Sequence, residues 1–221
     1  MKQELRFFAR YAGQEVLVML GLGTLILVGS RLFSGSSLFG SYLMMYPAFA
    51  LLFPFTFGVA FRVHVDTALR FGALRSSCFA VVQLLHLAGA LCNTALIWLV
   101  CGAGRRILPA DVLEDRLVLK PTPAILALLL AGGILAAEAG LALGNVTDTR
   151  RRRVWMVVGV CAAVLLMMGG TTVLIILADE WVSWLTLRNP ALLALVAGLL
   201  AAGAALALVV HRQYRKAVVC V

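Results

Sequence analysis

Ser76-Ser-Cys-Phe-Ala-Val-Val-Gln-Leu-Leu-His-Leu-Ala-Gly-Ala-Leu-Cys-Asn-Thr-Ala-Leu-Ile-Trp-Leu-Val-Cys-Gly-Ala-Gly104 runs for 29 residues without one Asp, Glu, Lys or Arg. A helix needs roughly 20 mainly apolar residues to cross a bilayer, so this stretch suffices alone. Working outward, Val154 to Ala178 is charge-free for 25 residues and Asn189 to Val210 for 22. Leu32 to Phe61 is charge-free for 30, but Ser34-Gly35-Ser36-Ser37 reads as a loop and leaves a span over 40–60. The first span, Val16 to Ser30 between charges, extends by snorkelling of Glu15 and Arg31. A fourth, over 122–145, is interrupted by one carboxylate, Glu138. The reading is an all-α polytopic membrane protein. It is a single transmembrane domain over 1–221, with six spans near 14–33, 40–60, 77–103, 122–145, 154–178 and 190–210.

Composition excludes the other classes. The chain has 221 residues, 62% hydrophobic and 13% charged, with a mean hydropathy of +1.00. Soluble domains are about 45–50% apolar and about 25% charged, and disordered chains are more polar still. Leucine-rich runs of helix length also differ from the alternating ten-residue strands of an outer-membrane barrel. The first span begins late, is long for a signal sequence and lacks a small-residue cleavage site, so it reads as a helix that stays.

Basic residues near the span ends set the orientation. With both termini on one side, that side carries 13 of the 19 Lys and Arg, among them Arg62, Arg70, Arg75 and Arg150 to Arg153. The other side carries six, with five of the ten acids. Both termini are expected to be cytoplasmic, and the net charge of +9 is a topology and lipid-headgroup signal. No soluble basic domain exists to bind nucleic acid. Residues 1–15 read as an interfacial segment, with Phe7, Phe8 and Tyr11 as a membrane-facing stripe, and 211–221 as a cytoplasmic tail. Residues 62–77 read as a short cytoplasmic helix with Val65, Leu69 and Gly72 on one stripe. Trp181 and Trp184 are expected interfacial anchors between the last two spans.

Several chemistries have no residues to carry them. The sequence contains no GxxxxGK[ST], HExxH or GxSxG, and its five cysteines never form CxxC. No catalytic residue, metal site or cofactor is expected on this chain. The ionisable and amide groups inside the spans are the functional candidates, because such groups are costly in a bilayer. Gln83, His86 and Asn93 fall near one face of the third span with Ala90 between them. Glu138 stands among small residues of the fourth span. At 1.5 Å per residue, His86 lies about 13 Å and Glu138 about 12 Å from the same membrane boundary. Consecutive spans are often neighbours, so the two side chains are expected to share one polar contact, stabilising the fold or lining a substrate path. The plainer reading is that the amides only hold helices together.

Phe61-Arg-Val-His-Val-Asp-Thr-Ala-Leu-Arg-Phe-Gly-Ala-Leu-Arg-Ser-Ser-Cys-Phe79 resembles the coupling-helix region of bacterial type-2 ABC transporter permeases. Phe71-Gly72-Ala73, Arg75 and Phe79 carry the likeness; Leu74 stands where the family usually has a hydroxyl. The resemblance implies a six-span half-transporter in the bacterial cytoplasmic membrane, paired with a second permease chain. It further implies separate ATPase subunits that hold the ATP and Mg. By the same likeness, Leu69, Arg70, Phe71, Gly72 and Arg75 would form the ATPase-coupling element. Two other readings stay open: a non-transporting assembly or sensor subunit, and an ion-coupled carrier using Glu138 and His86.

Overall fold

A computed structural model describes residues 2–32, 37–107, 122–146, 150, 154, 157–158, 161 and 187–216. These residues are all-helical, with no strand among them. Five long helices are described: α1 (Lys2–Leu32), α2 (Ser37–Arg70), α3 (Arg75–Ile107), α4 (Pro123–Gly144) and α5 (Pro190–Lys216). Four of them, α1, α3, α4 and α5, contain a stretch long and apolar enough to cross a membrane. The chain is a multi-pass membrane protein. The expected span 40–60 falls inside α2, which is 34 residues long. Most of the expected fifth span, 154–178, lies outside the described residues, as do Trp181 and Trp184.

The helix ends follow from local sequence. Thr122 caps α4, its hydroxyl accepting from the Ile125 amide at 3.4 Å, with Pro123 at the first helical position. Asn189 opens α5 in the same way: its Oδ1 accepts from the Ala191 amide at 3.0 Å beside Pro190. α2 ends on glycine. Gly72 adopts φ 85°, the left-handed conformation that a Cβ disfavours. Its amide donates to the Leu69 carbonyl at 3.1 Å, and the Ala73 amide donates to the Ala68 carbonyl, also at 3.1 Å. That pair of bonds is the Schellman ending, and it turns the chain into α3 within four residues.

This corrects the expected short helix over 62–77. Residues 62–70 are the last turns of α2 itself, because nothing between Phe61 and Arg70 breaks a helix; the first breaker is Gly72. Residues 2–15 are likewise continuous with the rest of α1. The α1 aromatics pack on α2. Phe8 is fully buried, stacked on Phe61 at 5.7 Å between ring centroids, and Tyr11 stacks on His64 at 3.6 Å. The α2 extension supplies rings for them to pack on, which a separate interfacial segment would lack.

Glycines set the closest approach in the bundle. A Cβ on Gly58 would run into the Ala137 carbonyl, and one on Gly140 into the Phe55 carbonyl. One on Gly144 would sit 2.7 Å from the Val59 carbonyl. α2 and α4 therefore touch backbone to backbone, the close packing that small residues four apart permit in membranes. α5 lies on α4 through Gly203, against Ile134 and Leu135, and reaches the core with Val210 and Tyr214.

Candidate functional site

α3 presents its polar residues to two neighbours at once. His86 Nδ1 lies 3.1 Å from Glu138 Oε1 of α4, and Gln83 Nε2 donates to Glu138 Oε2 at 3.0 Å. Further along the same helix, Asn93 Nδ2 donates to Glu15 Oε1 of α1 at 2.9 Å. Glu138 is 2% exposed and His86 9%. Gln83 to Asn93 is ten residues, about 15 Å of helix, so one face of α3 carries polar contacts over half the thickness of a hydrocarbon core.

Small residues make the face accessible to both acids. A Cβ on Gly89 would meet Glu15 Oε2 at 3.8 Å, so α1 brings its carboxylate against bare backbone. Ala90 faces Gly133 of α4, leaving α3 and α4 close enough for His86 to reach Glu138. Hydrogen bonds to charged groups contribute about 1.5–3 kcal/mol where burial is satisfied, and each carboxylate here has at least one. Two polar atoms do not: His86 Nε2 and Asn93 Oδ1 are buried without a partner. Among the described residues, neither carboxylate pairs with a Lys or Arg, and no group of three ligating side chains stands together to hold a metal ion.

A second polar group lies at the end with the α2–α3 turn. Arg62 binds Asp66 one turn on, at 2.8 Å, and donates to Asn145 Oδ1 at 3.0 Å, tying α2 to the end of α4. Arg75 Nη1 donates to the Arg215 carbonyl at 3.3 Å, tying the start of α3 to the end of α5. His64 sits here, and partial burial lowers its imidazole pKa from the ordinary value.

The structure thus brings Gln83, His86 and Glu138 into one contact and puts Asn93 in another. Of the turn residues, Arg70, Phe71, Gly72 and Arg75 are exposed. Leu69 is buried, in one cluster with Val65 and Phe61. Glu15 was expected to snorkel to the interface. It is instead buried, because Asn93 and Gly89 offer it a partner and a gap that the first span by itself does not reveal. Leu74 was missed as a surface feature, although an apolar residue beside a glycine turn is a readable signal. So was Gly140-Leu-Ala-Leu-Gly144, whose four-residue glycine spacing is the helix-packing pattern the structure uses. Comparison of the chain with family models, curated proteins and solved structures gave no match.

Proposed function

We propose that this chain is the membrane-spanning permease subunit of a bacterial ATP-binding cassette exporter, driven by separate ATPase subunits. In this reading six spans and cytoplasmic termini place the α2–α3 turn in the cytoplasm, and two permease chains pair around a path. The supporting observation is the turn itself. Phe71 is 87% exposed and Leu74 70%, on a corner whose backbone is locked by the Gly72 ending, with exposed Arg70 and Arg75 on either side. Large apolar side chains held out on a rigid, basic corner suit insertion into a cleft of a soluble partner. α2 and α3 leave that corner directly, so a push on it would reach His86 through the continuous helix α3.

The test is purification of the chain with an ATPase encoded beside it. Co-purification and a substrate-stimulated ATPase rate are expected. Phe71→Ala with Arg75→Ala should cut the coupled rate at least about tenfold, a loss of ~1.4 kcal/mol in docking, with membrane insertion unchanged. Normal coupling in that double variant removes the assignment. The buried His86–Glu138 pair favours a second reading, an ion-coupled carrier that needs no ATPase; proton-driven uptake by the chain alone in vesicles would select it.

A further inference from the structure

Glu15 is held deep in the bundle. Its partner Asn93 stands 17 residues after Ser76 and 11 before Gly104, inside the 29-residue charge-free run. Those are about 25 Å and about 16 Å of helix, against a hydrocarbon core about 30 Å thick. Glu15 is 7% exposed and Asn93 2%, so the two groups meet near mid-membrane and largely enclosed.

The two intramembrane carboxyls are served unequally. Glu138 has Gln83 on one oxygen and His86 on the other, an imidazole able to carry the balancing positive charge. Among the described residues Glu15 receives one bond, from Asn93 Nδ2 at 2.9 Å, and forms no ion pair. The titratable groups that α2 and α3 bring toward this part of α1 are already engaged. His86 is on Glu138, His64 stacks on Tyr11 one turn before Glu15, and Tyr46 donates to the Met19 carbonyl one turn after it.

A carboxamide offers one donor and one acceptor, but an ionised carboxylate only accepts. A charged Glu15 therefore uses the Asn93 amide and leaves its carbonyl without a donor; Asn93 Oδ1 is buried with no partner. It also sets an uncompensated charge in hydrocarbon, which is costly. One proton removes both defects.

We propose that Glu15 holds a proton in the native fold near pH 7, as a carboxylic acid in a two-bond pair with the Asn93 carboxamide. The acid accepts from Nδ2 and donates its O–H to Oδ1, which sits on the same carbon as the nitrogen already in contact. The proton is taken up from water, and no other bond changes. The pair fastens α1 to α3 without a charge in the bilayer, and it stands with or without an ATPase at the turn.

The full chain in phosphatidylcholine nanodiscs near pH 7 is read by infrared spectroscopy beside Glu15→Gln. The native chain should show the C=O stretch of a protonated carboxyl, and Glu15→Gln should lose it. Asn93→Leu should shift that band to higher frequency, because the carbonyl no longer accepts a bond. Glutamine keeps the shape, the neutrality and the donor and acceptor of the acid, so Glu15→Gln should fold with an unchanged melting temperature. Absence of a protonated-carboxyl band overturns the proposal, as does a band that survives Glu15→Gln. A Glu15→Gln chain that fails to fold also overturns it, since a neutral mimic must be tolerated where the native group is neutral. An unshifted band in Asn93→Leu removes the pairing.

Discussion

The two ends of the bundle are held together by different means. At the end with the α2–α3 turn, all five described helices meet in one cluster. Phe8 comes from α1, Phe61 and Val65 from α2, Cys78 and Val82 from α3, Leu141 from α4, and Val210 and Tyr214 from α5. At the opposite end the buried cluster draws on three helices: Met19 and Ile26, Tyr46, and Ile97, Val100 and Cys101, with Leu129 of α4 only partly covered. Aromatic rings dominate the first end; one tyrosine, whose hydroxyl donates to the Met19 carbonyl at 2.9 Å, anchors the second. Among the described residues, α1, α2 and α3 therefore share a buried cluster at both ends, while α5 joins the cluster at the turn end and packs along α4 through Gly203.

The α2–α4 contact is the strongest test of that contrast. Gly140→Leu places a side chain where the Phe55 carbonyl already lies, and backbone cannot step aside as a side-chain tip does. It should cost about 3 kcal/mol or more, at the upper end for overpacking, and be seen as loss of the monodisperse species on size exclusion in detergent. Gly198→Ala on α5, where nothing lies within 4 Å, should be neutral or slightly stabilising, since alanine is the better helix former.

Tyr214→Ala comes next. The ring is 2% exposed and packs on Phe79 at 5.9 Å. Its removal should cost about 3 kcal/mol, as aromatic truncations do, and should free α5 first, seen as earlier proteolysis near residue 216 than near residue 32. Equal loss of protection at both places would show that the ends are not independent. At the other end Tyr46→Phe removes only the bond to Met19 and should lower stability by about 0.5–1.5 kcal/mol in thermal unfolding.

The smallest effect is a pH dependence at the turn end. Burial lowers the folded His64 pKa, while the unfolded chain titrates near the ordinary value of about 6.5. The unfolded state then binds protons more readily, so His64 contributes stability above pH ~6.5 that is lost as pH falls through the lower folded value. His64→Phe keeps a ring against Tyr11 and should flatten the fall in melting temperature between pH 8 and pH 5. An unchanged pH profile would move that dependence elsewhere.

How much of this was readable from residues alone differs between the site's two halves. Gln83, His86 and Asn93 share a face because 3.6 residues make a turn, and the depth of Glu138 follows from counting, so their meeting was open to arithmetic. Glu15 was not, because its place near the start of a span is equally compatible with reaching water. Only the packing of α1 on α3, through Gly89 and Asn93, decides between the two. Leu69 shows the same division: its stripe with Val65 was legible, but that the stripe is buried in one cluster with Phe8 and Cys78 depends on where α1 and α3 come to rest.

Residue order settles what local chemistry controls. Long charge-free runs must leave water and satisfy their own backbone, so they become membrane helices; Thr122-Pro123, Asn189-Pro190 and Gly72 mark where helices start or stop. Tertiary structure alone settles which buried groups find each other. A carboxylate in a bilayer is costly wherever it sits, and whether it turns to water, to an asparagine or to a histidine depends on which helix lies alongside and how closely. In this protein that closeness is set by Gly58, Gly140 and Gly144, whose missing side chains let α2 and α4 touch, and by Gly89 and Gly133, which let α1 and α4 bring Glu15 and Glu138 to the polar face of α3.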